Sequence, residues 1–327
     1  MKPIKSAALV AAASIALSSL AGTAHAAFPE QPIKLVVPFA SGGATDLGAR
    51  IIATAMSKTL PQQLVVDNRP GAGGRIGAGV VIAAKPDGYT LLVSGPSSFI
   101  AQAALPPALP YDAQKAFTPV GIYTTYPLML VGAPNLPAKD FKEVVALFRA
   151  NPGKYSYGSA GVGTSSHYGP YTIFKTLGAD LIHVPYKGTG PALTDLQGGR
   201  IALILDAVSA VTPRVKNGEV KGLVILDKNR VPTLPDVPSA AETFPEILKF
   251  DWSSWFGMMA PAGTPNDAIE TLHKAMITAM SDPELIKRYA DLSMNTSKMS
   301  LPEVRTFVNR QFELWVPLIK SMDLKLD

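Results

Sequence analysis

Between residues 34 and 93, three short apolar runs alternate with two stretches of helical spacing, and glycines mark both passages from run to helix. The first run, 34–37, passes through Pro38, Phe39, Ala40 and Ser41 to Gly42-Gly43, after which Leu47, Ile51 and Ile52 recur at roughly helical intervals. Strand, helix, strand, helix and strand within about sixty residues imply parallel pairing through right-handed crossovers. The expected class is therefore α/β with doubly wound sheets, in which ligands bind beyond the carboxyl ends of the strands. The Gly42-Gly43 turn is suited to an anion. The first amides of a helix lack internal partners and carry the positive end of its dipole, and paired glycines let a ligand reach the main chain. A plain strand-to-helix turn would use the same residues.

A chain of 327 residues is long enough for two cores, and 47% hydrophobic against 17% charged residues makes it globular. Residues 1–26 read as a secretory signal. Lys2 and Lys5 precede an apolar run at 7–20, and Ala24-His25-Ala26 supplies a cleavage site, with the cut expected after Ala26. The run is too short to span a bilayer comfortably. The chain has no cysteine, which excludes disulfides, thiol catalysis, Cys-bound metals and a lipid-anchored N-terminal Cys, so a free periplasmic protein is expected. Without the signal, 28 basic residues stand against 25 acidic ones, scattered and without an aromatic-interleaved patch. Nucleic acid is not an expected partner.

Residues 63–67 read as the second strand. After it, Gly71 and Gly73 are spaced as G-x-G, but the next glycines fall at 74 and 77 and no Lys-Ser or Lys-Thr follows. Neither the dinucleotide fingerprint nor the phosphate loop is complete, so no cofactor is expected, and a tight turn packing helix on sheet is the better reading. The third strand, 89–93, runs into Ser94-Gly95-Pro96-Ser97-Ser98. The hydroxyls of Ser94, Ser97 and Ser98 are candidates to face the same crevice as Gly42-Gly43, with ordinary turn chemistry as the alternative. Residues 105–119 read as irregular chain, and 120–131 as strand broken at Pro127, where a crossing into another domain is expected. An amphipathic helix at 140–149 ends at Asn151-Pro152-Gly153.

Residues 155–167 then repeat the first motif: a short strand, Gly158-Ser159-Ala160-Gly161-Val162-Gly163, and a helix start with Thr164 or Ser165 as N-cap. Two such starts facing each other across two lobes could clamp one or two carboxylates. Charge-assisted hydrogen bonds contribute roughly 1.5–3 kcal/mol each and helix termini about 0.3–1. A handful outweighs an association cost of at least about 4 kcal/mol and leaves the roughly 8 kcal/mol of micromolar binding. No arginine is required.

These stretches, with Pro86-Asp87-Gly88-Tyr89-Thr90-Leu91-Leu92, His183-Val184-Pro185-Tyr186-Lys187-Gly188, Leu234-Pro235-Asp236-Val237-Pro238 and Ala260-Pro261-Ala262-Gly263-Thr264-Pro265, resemble in order the substrate-binding proteins of tripartite tricarboxylate transporters, the Bug family. The resemblance spans essentially the whole mature chain. It implies a two-lobed periplasmic binding protein with a hinge, lobe I comprising 27–126 and 249–327 and lobe II 127–248. By the same resemblance the first ligand loop is Phe39, Ala40, Ser41, Gly42, Gly43 and Asp46, and the second is Ser159, Ala160, Gly161, Gly163 and Thr164. His167 matches the pattern, and Asp206, at a strand end, matches a polar position near the pocket. Capping of the first helix is an equal role for Asp46. The chain departs from the pattern at Pro170, which should disturb a helix start, at Tyr168 and Tyr171 beside it, and at 102–110.

The implied partners are a small carboxylate (mono-, di- or tricarboxylate, amino acid or aromatic acid) and the membrane permease subunits of such a transporter, with the chain itself a monomer. A receptor feeding a sensor kinase is the nearest alternative. A periplasmic enzyme using Ser97, Ser98 or His167 is the rival from another class. It has no G-x-S-x-G elbow, and His167, His183 and His273 lack metal-ligand spacing. Trp252 and Trp255 read as core. Helices are expected at 266–281, 282–291 and 301–321, the last interrupted or bent at Pro317.

Overall fold

The computed structural model describes residues 28–105, 108–250, 252 and 254–322. The expected signal and its cleavage point lie outside them. Strand β1 (Ile33–Val37) leads through helix α1 (Ala44–Met56) to β2 (Leu64–Asn68), then through α2 (Arg75–Ile82) to β3 (Thr90–Ser94). There follow β4 (Phe117–Tyr126), β5 (Leu128–Gly132), α3 (Phe141–Ala150), β6 (Ser156–Ser159), α4 (Ser165–Thr176), β7 (Ile182–Pro185) and α5 (Thr189–Gln197). The chain continues with β8 (Leu203–Ala207), α6 (Val208–Lys216), β9 (Lys221–Ile225), α7 (Ala240–Thr243) and β10 (Ser254–Pro261). It ends with α8 (Asn266–Ala279), α9 (Pro283–Asp291), β11 (Asn295–Thr296) and α10 (Leu301–Lys320).

The strands form two sheets, in the orders β11-β4-β10-β3-β1-β2 and β7-β6-β8-β5-β9. The α/β class and the parallel pairing of the first three strands hold: β1 runs parallel to β2 and to β3. Pairing with β3 on one side and β2 on the other goes with an apolar β1, in which Leu35, Val36 and Val37 are fully buried. Each sheet is mixed. β10 runs antiparallel to β3 and β4, and β5 antiparallel to β8 and β9. The chain changes sheet between Tyr126 and Leu128 and returns with Ser254. Pro127 has no amide to give a ladder, so one strand ends and the next starts on either side of it.

Four local expectations need correction. Strand β4 begins at Phe117, inside the stretch read as irregular, because β10 pairs with it from Pro261 backwards. Pro96-Ser97-Ser98, expected in a loop after β3, instead open a wide helical turn (Pro96–Ile100), which a 3-10 turn (Ala101–Ala103) follows. Helix α4 runs unbroken through Pro170; burial of Tyr168, Ile173 and Phe174 compensates the missing amide, and Tyr168 packs on Trp315 of α10 at 5.3 Å between ring centroids. α10 likewise continues through Pro317.

The turn at 71–77 packs helix on sheet as expected. A Cβ on Gly77 would lie 2.9 Å from Pro38 Cα, and one on Gly74, whose φ is +101°, 2.7 Å from Ser98 Cβ. Trp252 and Trp255 are core, 4% and 0% exposed. Their indole N–H groups donate to the Ile247 carbonyl at 2.7 Å and to Gln311 Oε1 at 3.3 Å.

Candidate functional site: a cleft between the two sheets

The carboxyl ends of β1 and β3 in one sheet and of β6 and β8 in the other open on a shared cleft of about 260 Å³. That is just below the roughly 300–1,000 Å³ of typical small-molecule pockets, a size for a metabolite. From the first sheet, Phe39, Ala40, Ser41, Gly42, Gly43, Ser97 and Ser98 line it, with Ala44, Thr45 and Phe256. From the second come Ala160, Thr164 and Asp206, with Ser165, Ser166 and residues 187–191.

Helix α1 presents its start to this cleft. Its N-cap, Gly43, is extended, and no side chain caps the helix; the first regular internal bond is Leu47 N–H to Gly43 O at 3.0 Å. Gly42, at φ +86°, turns the chain into the helix with nothing within 4 Å of the place of a Cβ. The amides of Gly43, Ala44 and Thr45 are thus arranged around an open face.

Asp46 supports this loop from behind. It is 2% exposed and does not line the cleft. Its Oδ2 accepts from the Gly42 amide and from Arg50 Nε, each at 3.0 Å, and its Oδ1 accepts from Asn68 Nδ2 at 3.0 Å. Burial pushes its carboxyl up, but Arg50, the Gly42 amide and Asn68 together outweigh burial and hold it below the usual value. Asn68 Nδ2 also reaches the Phe39 carbonyl at 3.1 Å.

The second loop differs, since its polar groups are largely occupied. The Ser159 hydroxyl accepts from the Gly161 amide at 3.1 Å and meets His183 Nε2 at 2.7 Å. Ser166 Oγ accepts from the Ala160 amide at 2.9 Å, and His167 Nδ1 accepts from the Gly163 amide at 3.0 Å. The His167 and His183 rings stack 3.6 Å apart at an interplanar angle of 9°. Burial, with His183 beside it, lowers the His167 pKa to about 3, so this imidazole is neutral and an acceptor. Thr164 does not cap α4 through its side chain; its hydroxyl donates to the Gly161 carbonyl at 2.7 Å. Ser97, from the first sheet, instead accepts from the Ser165 amide at 2.9 Å and bonds Ser165 Oγ at 3.0 Å. Gly163, at φ +77°, lies where Leu105 leaves no room for a side chain.

Six candidates therefore stand behind the cleft wall: Asp46, Ser94, Ser159, Gly161, Gly163 and His167. Ser94 is 1% exposed, with its hydroxyl 3.5 Å from the Gly257 carbonyl. Some of their partners are near in sequence, as with Asp46 and Arg50 or His167 and Gly163, and others, such as Asn68 for Asp46 and His183 for Ser159, are reached only through the fold.

Polar lining residues absent from the expected set include Thr45, Ser165 and Ser166, and also Lys187, Thr189 and Arg214. Lys187 sits on the turn ahead of α5 and Thr189 opens that helix, and Arg214 on α6 gives an Nη1–H to the Ala210 carbonyl at 3.2 Å. Lys187 stands in the motif His183-Val184-Pro185-Tyr186-Lys187-Gly188, and Arg214 is one of the scattered basic residues, with no local pattern to mark it. Asp206, at the end of β8, accepts from the Ala207 amide through Oδ1 at 2.8 Å. Its Oδ2 is buried without a hydrogen-bond partner. Burial pushes its pKa up to about 6 against the Ala207 amide, Thr189 and Arg214.

Comparison with known proteins agrees with this architecture. Residues 48–324 match the model of the tripartite tricarboxylate transporter family receptor. A relative from Agrobacterium vitis, the UPF0065 protein in the TAR-I ttuE-ttuC' intergenic region, is 41% identical over 82% of this chain and 77% of its own. Among solved structures, one described as a periplasmic transporter superposes with a TM-score of 0.86 at 38% identity, covering 92% of this chain and 100% of the other. MatC from Rhodopseudomonas palustris, with bound malate, gives 0.83 at 33%, covering 89% and 100%. R. palustris Rpa4515, with adipate, gives 0.86 at 28%, covering 92% and 100%. Fold, cleft position and a match over most of the chain agree, and the protein belongs to the tripartite tricarboxylate transporter receptor family.

Proposed function

We propose that the mature chain is a periplasmic receptor that closes on a small organic carboxylate and delivers it, unchanged, to the membrane permease of a tripartite tricarboxylate-type transporter. The observation that carries this reading is the uncapped start of α1, open to a cleft between the two sheets. One ligand carboxylate sits against the amides of Gly43, Ala44 and Thr45, with Ser41 and Ser98 at its sides. Malate and adipate in structural relatives support a carboxylate as the ligand class. Lobe I comprises 27–126 and 249–327 and lobe II 127–248, the change of sheet at Pro127 and before Ser254 serving as the hinge. The receptor acts as a monomer, and export with cleavage after Ala26 brings it to the periplasm. The direct ligand contacts among the candidates are those that line the cleft; Asp46, Ser159 and His167 hold the loops in shape.

The test is titration calorimetry of the mature protein against mono-, di- and tricarboxylates, amino acids and aromatic acids, with Ala44→Pro as the control. Proline suits the first position of a helix, and the preceding Gly43 is already extended at φ −82°, ψ 171°. The variant keeps the helix and removes one amide donor, so carboxylate affinity should fall about 10–100-fold, the worth of one charge-assisted hydrogen bond. Unchanged affinity in the variant, or no binding across the panel by protein shown to be empty, would count against the reading.

A further inference from the structure

The cleft holds one acceptor that the carboxylate reading leaves unused. Most polar groups on its wall are donors or can donate: the α1 amides, the hydroxyls of Ser41, Ser98 and Thr189, and the cations Lys187 and Arg214. A ligand made only of carboxylates and hydrocarbon is served by such a wall. Asp206 is different. Its Oδ1 is engaged by the Ala207 amide, while Oδ2 is buried and makes no hydrogen bond of normal geometry, the Thr189 hydroxyl standing close enough to favour its charged form. Ala207, Ala210 and Leu128 line the cleft with it, and Thr189 and Arg214 act on its charge from nearby. β8 sets the position of this carboxyl through its pairing with β5, in which Asp206 lies opposite Met129.

An oxygen already buried without a good hydrogen bond has lost its water before the ligand arrives, so a ligand donor that reaches it gains a bond without stripping hydration from the protein. We infer that Asp206 is a specificity residue that reads a hydrogen-bond donor on the ligand, so that the receptor prefers hydroxy- or amino-substituted carboxylates to their unsubstituted analogues. The inference rests on the receptor reading and deepens it. α1 takes a carboxylate, and Asp206, on the opposite sheet, takes a hydroxyl or ammonium group of the same molecule. Both contacts are complete only with the sheets drawn together. Ligands that bridge the cleft in this way stabilise the closed form, and the unsubstituted acid leaves one side unpaired. Discrimination follows because only the substituted acid pairs this oxygen, while its unsubstituted analogue leaves it as it is in the empty cleft.

The experiment measures affinities for matched acids differing by one group: propionate with lactate and alanine, succinate with malate and aspartate, and benzoate with its hydroxybenzoates. The same series is run on Asp206→Asn and Asp206→Leu, whose melting curves report folding. In the wild type, the substituted member of at least one set should bind about 10–100-fold tighter than its parent. Asp206→Leu should bring that ratio close to one chiefly by weakening the substituted acid, and Asp206→Asn should lower it more for amino acids than for hydroxy acids. Equal affinities within every set that binds, or a preference that survives in folded Asp206→Leu, would overturn the inference and leave the receptor reading standing. Absence of binding by every acid, with Ala44→Pro indistinguishable from wild type, would remove the receptor reading and this inference with it.

Discussion

Asp46 shows how a carboxylate can sit beside an anion site without repelling the anion. Its two oxygens are taken up by Arg50, Asn68 and the Gly42 amide, so its charge is spent on holding the loop. Arg50 is half exposed, which screens part of that interaction. Asp46→Ala should therefore destabilise the protein by roughly 2–3 kcal/mol in urea unfolding, and ligand affinity should fall as Gly42 loses its anchor. Unchanged stability would mean that the loop holds its shape without the carboxylate. The acid in the first turn of α1 was legible in the chain, and capping was one of two roles open to it. Its bond to Asn68 was not, since the two side chains meet only through the pairing of β1 with β2.

The β6-to-α4 connection and the β1-to-α1 connection share a pattern of glycines but not a state. The first is braced by two stacked histidines, one reached from β7, the neighbour of β6. That bracing depends on pH. The folded His167 pKa of about 3 lies below its ordinary 6.5, so below pH 6.5 the unfolded chain takes up a proton that the folded chain refuses. Stability from this group is complete above 6.5 and is lost as pH falls toward 3. Asp206 acts with the opposite sign: raised from 3.8 to about 6, it contributes fully below 3.8 and loses that contribution as pH rises through 6. Comparison of wild type with His167→Gln keeps Asp206 in both proteins. Between pH 6.5 and 4.5 the wild type should lose roughly 2–3 kcal/mol more than the variant, measured by urea unfolding. Equal losses would mean that His167 is protonated in the folded protein or has no such shift. The motif repeat was visible in sequence; which helix start remained open was not, because Ser97, His183 and Leu105 all come from elsewhere in the chain.

The two sheets already touch across the cleft in this structure, through Ser97 on Ser165 and Leu105 on Gly163. Ser97→Ala removes two hydrogen bonds worth about 0.5–1.5 kcal/mol each, shifting the ratio of closed to open forms by roughly tenfold or more. Small-angle scattering of the empty variant should show a larger radius of gyration than wild type, and saturating ligand should restore compactness. Identical profiles would show that this contact does not hold the sheets together. The chain alone was enough to establish the α/β class, the parallel βαβαβ start, the sheet change at Pro127 and the two glycine turns, because apolar period, proline and glycine act over a few neighbouring residues. Folding decided which polar groups remain available. Ser97 and Ser165 are 68 positions apart, Ser94 and Gly257 163, and a hydrogen bond at that separation exists only once the sheets have assembled. The same assembly leaves the α1 amides open and one oxygen of Asp206 without a partner.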